Sequence, residues 1–341
     1  MPTESEVHSA SPDVFAEATV TRPNRLGLGI LITLLLTALV VVAGEYSQSQ
    51  REKARLTAQV RALQTRLDER PVYAAPTQAE LAALREKIKV LLGSEAENYG
   101  VSIVGLRSGK ELSLNAATIL PPASVSKLPY ALLVLRDAQN GVISLEDTYP
   151  VLGVTKAYPS DALYHVRSGT QLTYRELLEY LIHASDNTAM MTLERYLGGR
   201  DAFNERVRTE LGVELFRDPH ETTATEVGKL LAGVWAGDYL DFYHNHFLIY
   251  ELLGRTYQTF DDRIVAGVED YDDIFVAHKI GSINSRETGL TYHDAGIIYG
   301  PWDDLAVVVL NQHTTESEAT QKIQEITRLA YEVFNQVAPP K

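Results

Sequence analysis

No cysteine occurs in the 341 residues, which excludes disulfides, thiol catalysis and cysteine-ligated metal and is compatible with an oxidising compartment. Positive charge is also scarce, with 31 Lys and Arg against 45 Asp and Glu and a net charge of -14. That balance argues against nucleic acid or an anionic membrane surface as the main partner. No internal repeat is present. Apolar residues are not scarce: 45% hydrophobic and 8% aromatic content is enough for a real core, and the length suggests about two domains.

The chain divides by composition. Residues 1–25 are rich in Ser, Thr, Pro and Glu and read as a flexible tail. Leu26 to Ala43 then carries no charge. As a helix it is about 27 Å long, just enough to span a bilayer core, so residues 26–44 are read as a transmembrane anchor. A cleaved signal peptide is the competing reading, and Val42-Ala43-Gly44-Glu45 is a poor cleavage site for it. Charge leaves orientation open, because Arg22 and Arg25 precede the run while Arg51, Lys53 and Arg55 follow it. Residues 45–76 are read as a coiled-coil-like spacer and linker. Leu56, Val60, Leu63 and Leu67 form a short seam through which two copies can pair, or one face of a single spacer helix, and Pro71 to Pro76 ends it.

Residues 77–341 read as the folded domain. Thr77 to about Leu92 is an amphipathic helix with Leu81, Leu84, Ile88 and Leu91 on one face. Tyr99–Leu106 and Glu111–Asn115 flank Arg107-Ser108-Gly109-Lys110 as a hairpin. Leu128 to about Tyr257 is mostly helical by pattern, with Tyr174–Ile182, Met190–Leu197 and Thr225–Trp235 the clearest helices. Ile274–Ile283, Tyr292–Gly300 and Leu305–Gln312 are strand-like, and Glu316–Val337 is a closing helix. Strands from both ends of the domain must therefore share a sheet, with the helical middle as a second lobe and a cleft between them.

Three short elements carry candidate chemistry. In Pro121-Pro122-Ala123-Ser124-Val125-Ser126-Lys127 a serine enters a strongly apolar helix with a lysine three residues on, on the same face. Burial and the positive end of the helix dipole push such a lysine toward the neutral amine, the form that accepts a proton. A cap serine beside a solvated lysine is the plainer alternative. His183-Ala184-Ser185-Asp186-Asn187-Thr188 interrupts an apolar helix with small polar residues, which is also what an ordinary helix end capped by Asp or Asn looks like. His278-Lys279-Ile280-Gly281-Ser282 puts a lysine in an apolar strand, with a glycine where a backbone or ligand can come close; an edge-strand lysine is the alternative.

Ser-x-x-Lys, Ser-Asp-Asn and Lys-x-Gly in this order, on a helix, a helix junction and a strand, resemble the serine β-lactamase and penicillin-binding superfamily, and among its members most the class A β-lactamases. The resemblance spans roughly Thr77 to Val337. It implies a β-lactamase-like two-lobed α/β (α+β) fold, an antiparallel sheet flanked by N- and C-terminal helices plus an all-helical lobe, here behind a transmembrane helix. It implies Ser124 as the nucleophile, Lys127 as its base or part of its proton relay, and Ser185 as the group passing the proton to the leaving nitrogen. Lys279 would supply positive charge, and Asn187, Gly281 and Ser282 would line the substrate site, Asn187 holding the substrate's amide side chain. The backbone N–H groups of Ser124 and Ser282 would form the oxyanion hole. Asp186 would be structural. No metal or cofactor is implied.

Two departures stand out. The family's Lys-Thr-Gly is here Lys279-Ile280-Gly281, and isoleucine offers no hydrogen bond to a substrate carboxylate unless Ser282 substitutes. Glu221-Thr222-Thr223 looks like a remnant of the family's Asp-Thr-Thr, but the Glu-x-x-Leu-Asn that positions the deacylating water does not precede it, so that loop is shortened. Glu214 and Glu221 are the nearby candidates, and an ordinary ion pair such as Arg217 with Glu221 is the competing reading. The expectation is a membrane-anchored serine hydrolase facing the cell wall, forming an acyl-enzyme with D-Ala-type peptidoglycan peptides or β-lactams and deacylating slowly. A fully competent class A β-lactamase and a non-enzymatic wall-binding scaffold are the alternatives.

Overall fold

The computed structural model describes residues 73–214, 221–255, 263–285 and 289–336, together with scattered helical positions between 35 and 61. Contacts divide the chain into two units, Met1–Arg70 and Pro71–Lys341. In the first unit only isolated positions such as Leu35, Leu36, Leu39 and Leu56 are described, all helical and exposed. Most of the Leu26–Ala43 run, and Val60, Leu63 and Leu67 of the seam, lie outside the described residues. Among the described residues no helix is long and apolar enough to cross a membrane.

The second unit opens with helix α1, Gln78–Leu92, whose start is set by a capping box: Thr77 accepts from the Glu80 backbone N–H while the Glu80 carboxylate accepts from the Thr77 N–H. Its buried face is Leu81, Leu84, Ile88 and Leu92. Leu92 takes the place expected for Leu91, which is only partly buried against the core. Strands β1 (Tyr99–Gly105) and β2 (Glu111–Leu114) form the expected hairpin, with Gly109 at φ 67 in the turn. Helix α2, Lys127–Gln139, is buried at every position from Lys127 to Leu135, as expected of a helix with apolar residues on all sides.

Strands β3 (Thr148–Val151) and β4 (Thr170–Thr173) pair antiparallel as a small separate sheet. The middle of the chain is therefore mostly helical, as its pattern suggests, but the lobe is not the all-helical one that the resemblance implied. Helices α3 (Tyr174–Ile182), α4 (Asn187–Tyr196) and α5 (Ala224–Ala236) follow, with Thr173, Asp186 and Thr223 as their N-caps. Strands β5 (Phe275–Ser285), β6 (Gly289–Tyr299) and β7 (Leu305–Asn311) precede the closing helix α6, Glu316–Phe334.

The main sheet is antiparallel with order β2-β1-β7-β6-β5. Tyr99 to Gly105 of β1 pair with Asn311 to Leu305 of β7, so both ends of the domain share one sheet as expected. Because side chains alternate along a strand, β7 feeds two cores. Val307 and Val309 join the core that holds the buried faces of α1 and α6, while Ala306, Val308 and Leu310 join the core of α2 and α3, with α5 the helix that packs on β1, β6 and β7. For the site, the consequence is that the turn leading into α2 rests on β5 and β6, with β5 the edge strand.

Candidate active site

The nucleophile candidate is delivered by a tight turn. Residues Ala123–Ser126 form a 3₁₀ turn running directly into α2. In a 3₁₀ turn residues three apart eclipse each other, so Lys127 stands over Ser124. The Lys127 Nζ lies 2.8 Å from the Ser124 Oγ. Ala123 has φ 46, a left-handed backbone that a non-glycine residue adopts only when its surroundings enforce it.

The second strained residue of the site is Ser185, with φ 52. It sits between α3 and α4, where Asp186 caps α4 by accepting from the Ala189 N–H and also accepts from the Leu163 N–H at 2.9 Å. The junction is therefore a capped helix end that also brings two polar side chains to Lys127. Asp186 satisfies the backbone, while Ser185 and Asn187 on either side of it turn to Lys127. Lys127 donates to Asn187 Oδ1 at 2.8 Å and to Ser185 Oγ at 3.2 Å. The third element arrives on β5, where Lys279 donates to the same Ser185 Oγ at 3.2 Å and to the Ile280 carbonyl at 3.1 Å. β5 is an edge strand, but Lys279 is 1% exposed, so the solvated edge-lysine reading fails.

Burial sets the protonation chemistry. Desolvation lowers Lys127 to about 8, opposed by the carboxylates of Asp161 and Asp186. At pH 7 roughly a tenth of such a lysine is the neutral amine, against less than about a thousandth of an unperturbed one. Lys279 is pushed well below its usual value by burial, then by the charge of Lys127 and of Arg263, with Asp294 opposing. A hydroxyl contacted by a lysine that accepts protons, next to a second hydroxyl shared with another cation, can lose its proton to nitrogen and have it relayed onward.

Gly281 gives the close approach expected of it. A Cβ there would lie 3.0 Å from Ala123 Cβ, 3.1 Å from Ser124 N and 3.3 Å from Pro122 O. The strand thus runs directly against the backbone of the nucleophile turn, and edge position leaves alternate N–H groups of β5 without a strand partner on that side. Ser282 is exposed at this point, and its Oγ accepts from Arg263 at 3.3 Å. Arg263, 2% exposed, also donates to the His293 carbonyl at 2.7 Å. This buried guanidinium beside Ser282 brings positive charge to the side of the site where Ile280 offers no hydroxyl.

Sequence reading missed Arg263, His293 and Asp161. His293 Nδ1 accepts from the Asn311 N–H at 3.1 Å, so its Nε2 carries the proton and donates to the Pro121 carbonyl at 2.6 Å. It thereby ties β6 to the turn before Ser124. Burial lowers His293 to about 4, so it is neutral at physiological pH. The polar pair His293-Asp294 in an otherwise apolar strand was the available signal, the same one that singles out Lys279. Asp161 lies in a loop with no motif.

Glu214 and Glu221 come together beside the segment that leads to the nucleophile turn, where Thr222 pairs with Leu120. Both line a cavity of about 350 Å³ with Ala117, Ile119, Thr222 and Glu226, and none of Ser124, Lys127, Ser185 or Lys279 borders it. Arg217, the suggested ion-pair partner of Glu221, lies outside the described residues. Among the described residues, no glutamate is hydrogen-bonded to Lys127, whose partners are Ser124, Ser185 and Asn187.

Comparison with known proteins agrees with this geometry. Residues 83–334 match the family described as the beta-lactamase enzyme family. The chain belongs to that family. It is 26% identical to beta-lactamase VEB-1 of Pseudomonas aeruginosa over 73% of this chain and 88% of the relative. It is 29% identical to a beta-lactamase of Streptomyces albus G over 72% and 79%. A solved beta-lactamase from Chitinophaga pinensis superposes with TM-score 0.66 at 26% identity, covering 74% of this chain and all of that one. PBP-A shares the fold, with TM-score 0.66 at 19% identity over 78% and 99%. This family member is a serine hydrolase with a class A beta-lactamase-like α/β fold.

Proposed function

We propose that the protein is a membrane-anchored serine hydrolase on the cell-wall side of its membrane, acylated at Ser124 by D-Ala-type peptidoglycan peptides or by β-lactams and slow to deacylate. The observation that carries this reading is the contact of Lys127 Nζ with Ser124 Oγ at 2.8 Å, with that lysine lowered to about 8. The neutral amine takes the Ser124 proton as Oγ attacks the substrate carbonyl. Negative charge then collects on the carbonyl oxygen, facing the N–H groups of Ser124 and Ser282, which stabilise it only as the tetrahedral species forms. The proton leaves Lys127 through Ser185 to the departing nitrogen, the carbon–nitrogen bond breaks, and the ester on Ser124 remains. Lys279 favours the anionic Ser185 oxygen during that transfer.

Deacylation requires a water deprotonated beside the ester. A positioned general base contributes about 10² to 10⁴ in rate. Glu214 and Glu221 border another cavity, which supports a long-lived acyl-enzyme. A PBP-A variant of the same fold was solved as an acyl-enzyme with penicillin G. The second reading, a fully competent β-lactamase, is favoured by the names of the curated relatives and by Thr222, next to Glu221, pairing with Leu120 just before the nucleophile turn. A wall-binding scaffold is disfavoured, since burying two lysines side by side costs stability and serves no scaffold.

Intact-mass spectrometry of the full chain mixed with a penicillin decides between the readings. A persistent single adduct on the wild type and none on Ser124→Ala is expected, with the adduct lifetime unchanged within twofold in Glu214→Gln and Glu221→Gln. Sustained turnover with no adduct, abolished by Glu221→Gln, would establish the β-lactamase reading instead.

A further inference from the structure

The loop between β3 and β4 contains a carboxylate that the family motifs do not include. Asp161 is 6% exposed and faces the start of α4. It accepts from Asn187 Nδ2 at 3.1 Å, from the Thr188 N–H at 3.1 Å, from Thr188 Oγ1 at 3.2 Å and from the Tyr158 N–H at 3.1 Å. Every one of these partners is a donor, and an ionised carboxylate only accepts.

That one-way chemistry fixes a group which could otherwise face either way. A carboxamide has a donor end and an acceptor end of nearly equal size, and its orientation is set by its neighbours. Asn187 is held between Lys127, which donates to Oδ1 at 2.8 Å, and Asp161, which receives Nδ2. When Lys127 is charged, it and Asp161 dictate the same orientation. When Lys127 is neutral, as it must be to take the Ser124 proton, it can accept as well as donate and no longer dictates anything. Only the Asp161 carboxylate then holds Nδ2 in place.

We infer that Asp161 is a positioning residue that locks the carboxamide of Asn187, keeping one Nδ2 hydrogen on itself and presenting the other to the acylamino side chain of the substrate. The inference rests on the reading of Asn187 as the group that holds the substrate's amide side chain. The same carboxylate ties the backbone of Tyr158, which is 60% exposed, to the catalytic junction, so the loop wall and the carboxamide are set by one side chain.

The substitution Asp161→Asn keeps the size of the side chain but gives it a donor, so Asn187 can turn over. The first measurement needs no substrate: the side-chain amide proton signals of Asn187 in ¹⁵N-labelled full chain. In the wild type the Nδ2 proton facing the carboxylate should be shifted downfield of its partner, and in Asp161→Asn that shift should collapse. The second is a ratio of Ser124 acylation rates, for a penicillin with an acylamino side chain over a penicillin nucleus without one. The ratio should fall about tenfold in Asp161→Asn and stay within twofold in Thr188→Val, which removes a side-chain contact of Asp161 with α4 but not the one with Asn187.

An unchanged amide signal, an unchanged ratio, or an equal fall in Thr188→Val would overturn the inference. If the wild type forms no adduct with either compound, the acylation reading falls, and the amide signals still decide whether Asp161 orients Asn187.

Discussion

Lys127 and Lys279 direct their ammonium nitrogens at one atom, each 3.2 Å from Ser185 Oγ. Two cations converging on one hydroxyl repel strongly in a buried site, and the repulsion adds to desolvation in lowering Lys279. At least one of the two must give up its proton readily.

The first prediction follows from Lys127 at about 8. Because the neutral amine is the active form, the acylation rate should rise with pH to a midpoint near 8. Below that it should fall about tenfold per pH unit. Lys127→Met should abolish acylation while leaving the melting temperature unchanged or raised, since it removes a desolvated charge. Stopped-flow with a chromogenic β-lactam across pH 6 to 9 checks the profile; a flat profile would remove Lys127 as the base.

Gly281 provides a steric test. A methyl group at this position meets Ser124 N at 3.1 Å and Pro122 O at 3.3 Å, so the turn carrying the nucleophile must shift by a few tenths of an ångström. Gly281→Ala should slow acylation at least about tenfold, since sub-ångström misplacement of reacting groups is costly. Denaturant unfolding should change by less than about 1.5 kcal/mol. Wild-type acylation in this variant would show that β5 does not border the oxyanion site.

His293 sets an acid limit on stability. Its pKa of about 4 in the folded protein lies below the usual 6.5, so between those values the unfolded chain binds more protons than the folded one. Its stabilising contribution is therefore complete above about pH 6.5 and is lost as pH falls through about 4. The total loss is on the order of 3 kcal/mol. Urea unfolding at pH 7, 5.5 and 4.5 should show this decline, and His293→Gln should flatten it. An equal decline in the variant would assign the acid sensitivity to other groups.

Membrane topology can be tested because the chain has no cysteine of its own. If residues 26–44 anchor the protein with the tail inside, a single cysteine at the exposed position Ser94 should react with an impermeant thiol reagent in intact cells. One at Ser9 should not. Labelling at Ser9 alone would reverse the proposed orientation.

Much of the fold is local in origin and therefore legible in the sequence. The capping boxes Thr77/Glu80 and Thr315/Glu318 announce their helices within four residues, and the β1–β2 hairpin follows from Gly109. The β3–β4 sheet was not legible because Pro150 argues against a strand; a two-stranded sheet tolerates it, since both of its strands are edges.

The sequence by itself determined the Ser124–Lys127 pair, because three-residue spacing in a turn is enough to eclipse the two side chains, and the order of the three motifs pointed to the family. Only tertiary structure decided what those residues touch. Lys127 meets Ser185 across 58 residues and Lys279 meets it across 94, while Asp161, Arg263 and His293 acquire partners only when the loop, the edge strand and the nucleophile turn pack together. Spacing encodes contacts within a turn or two. Contacts between distant segments, and the burial that lowers both lysines, exist only once the core has closed around them.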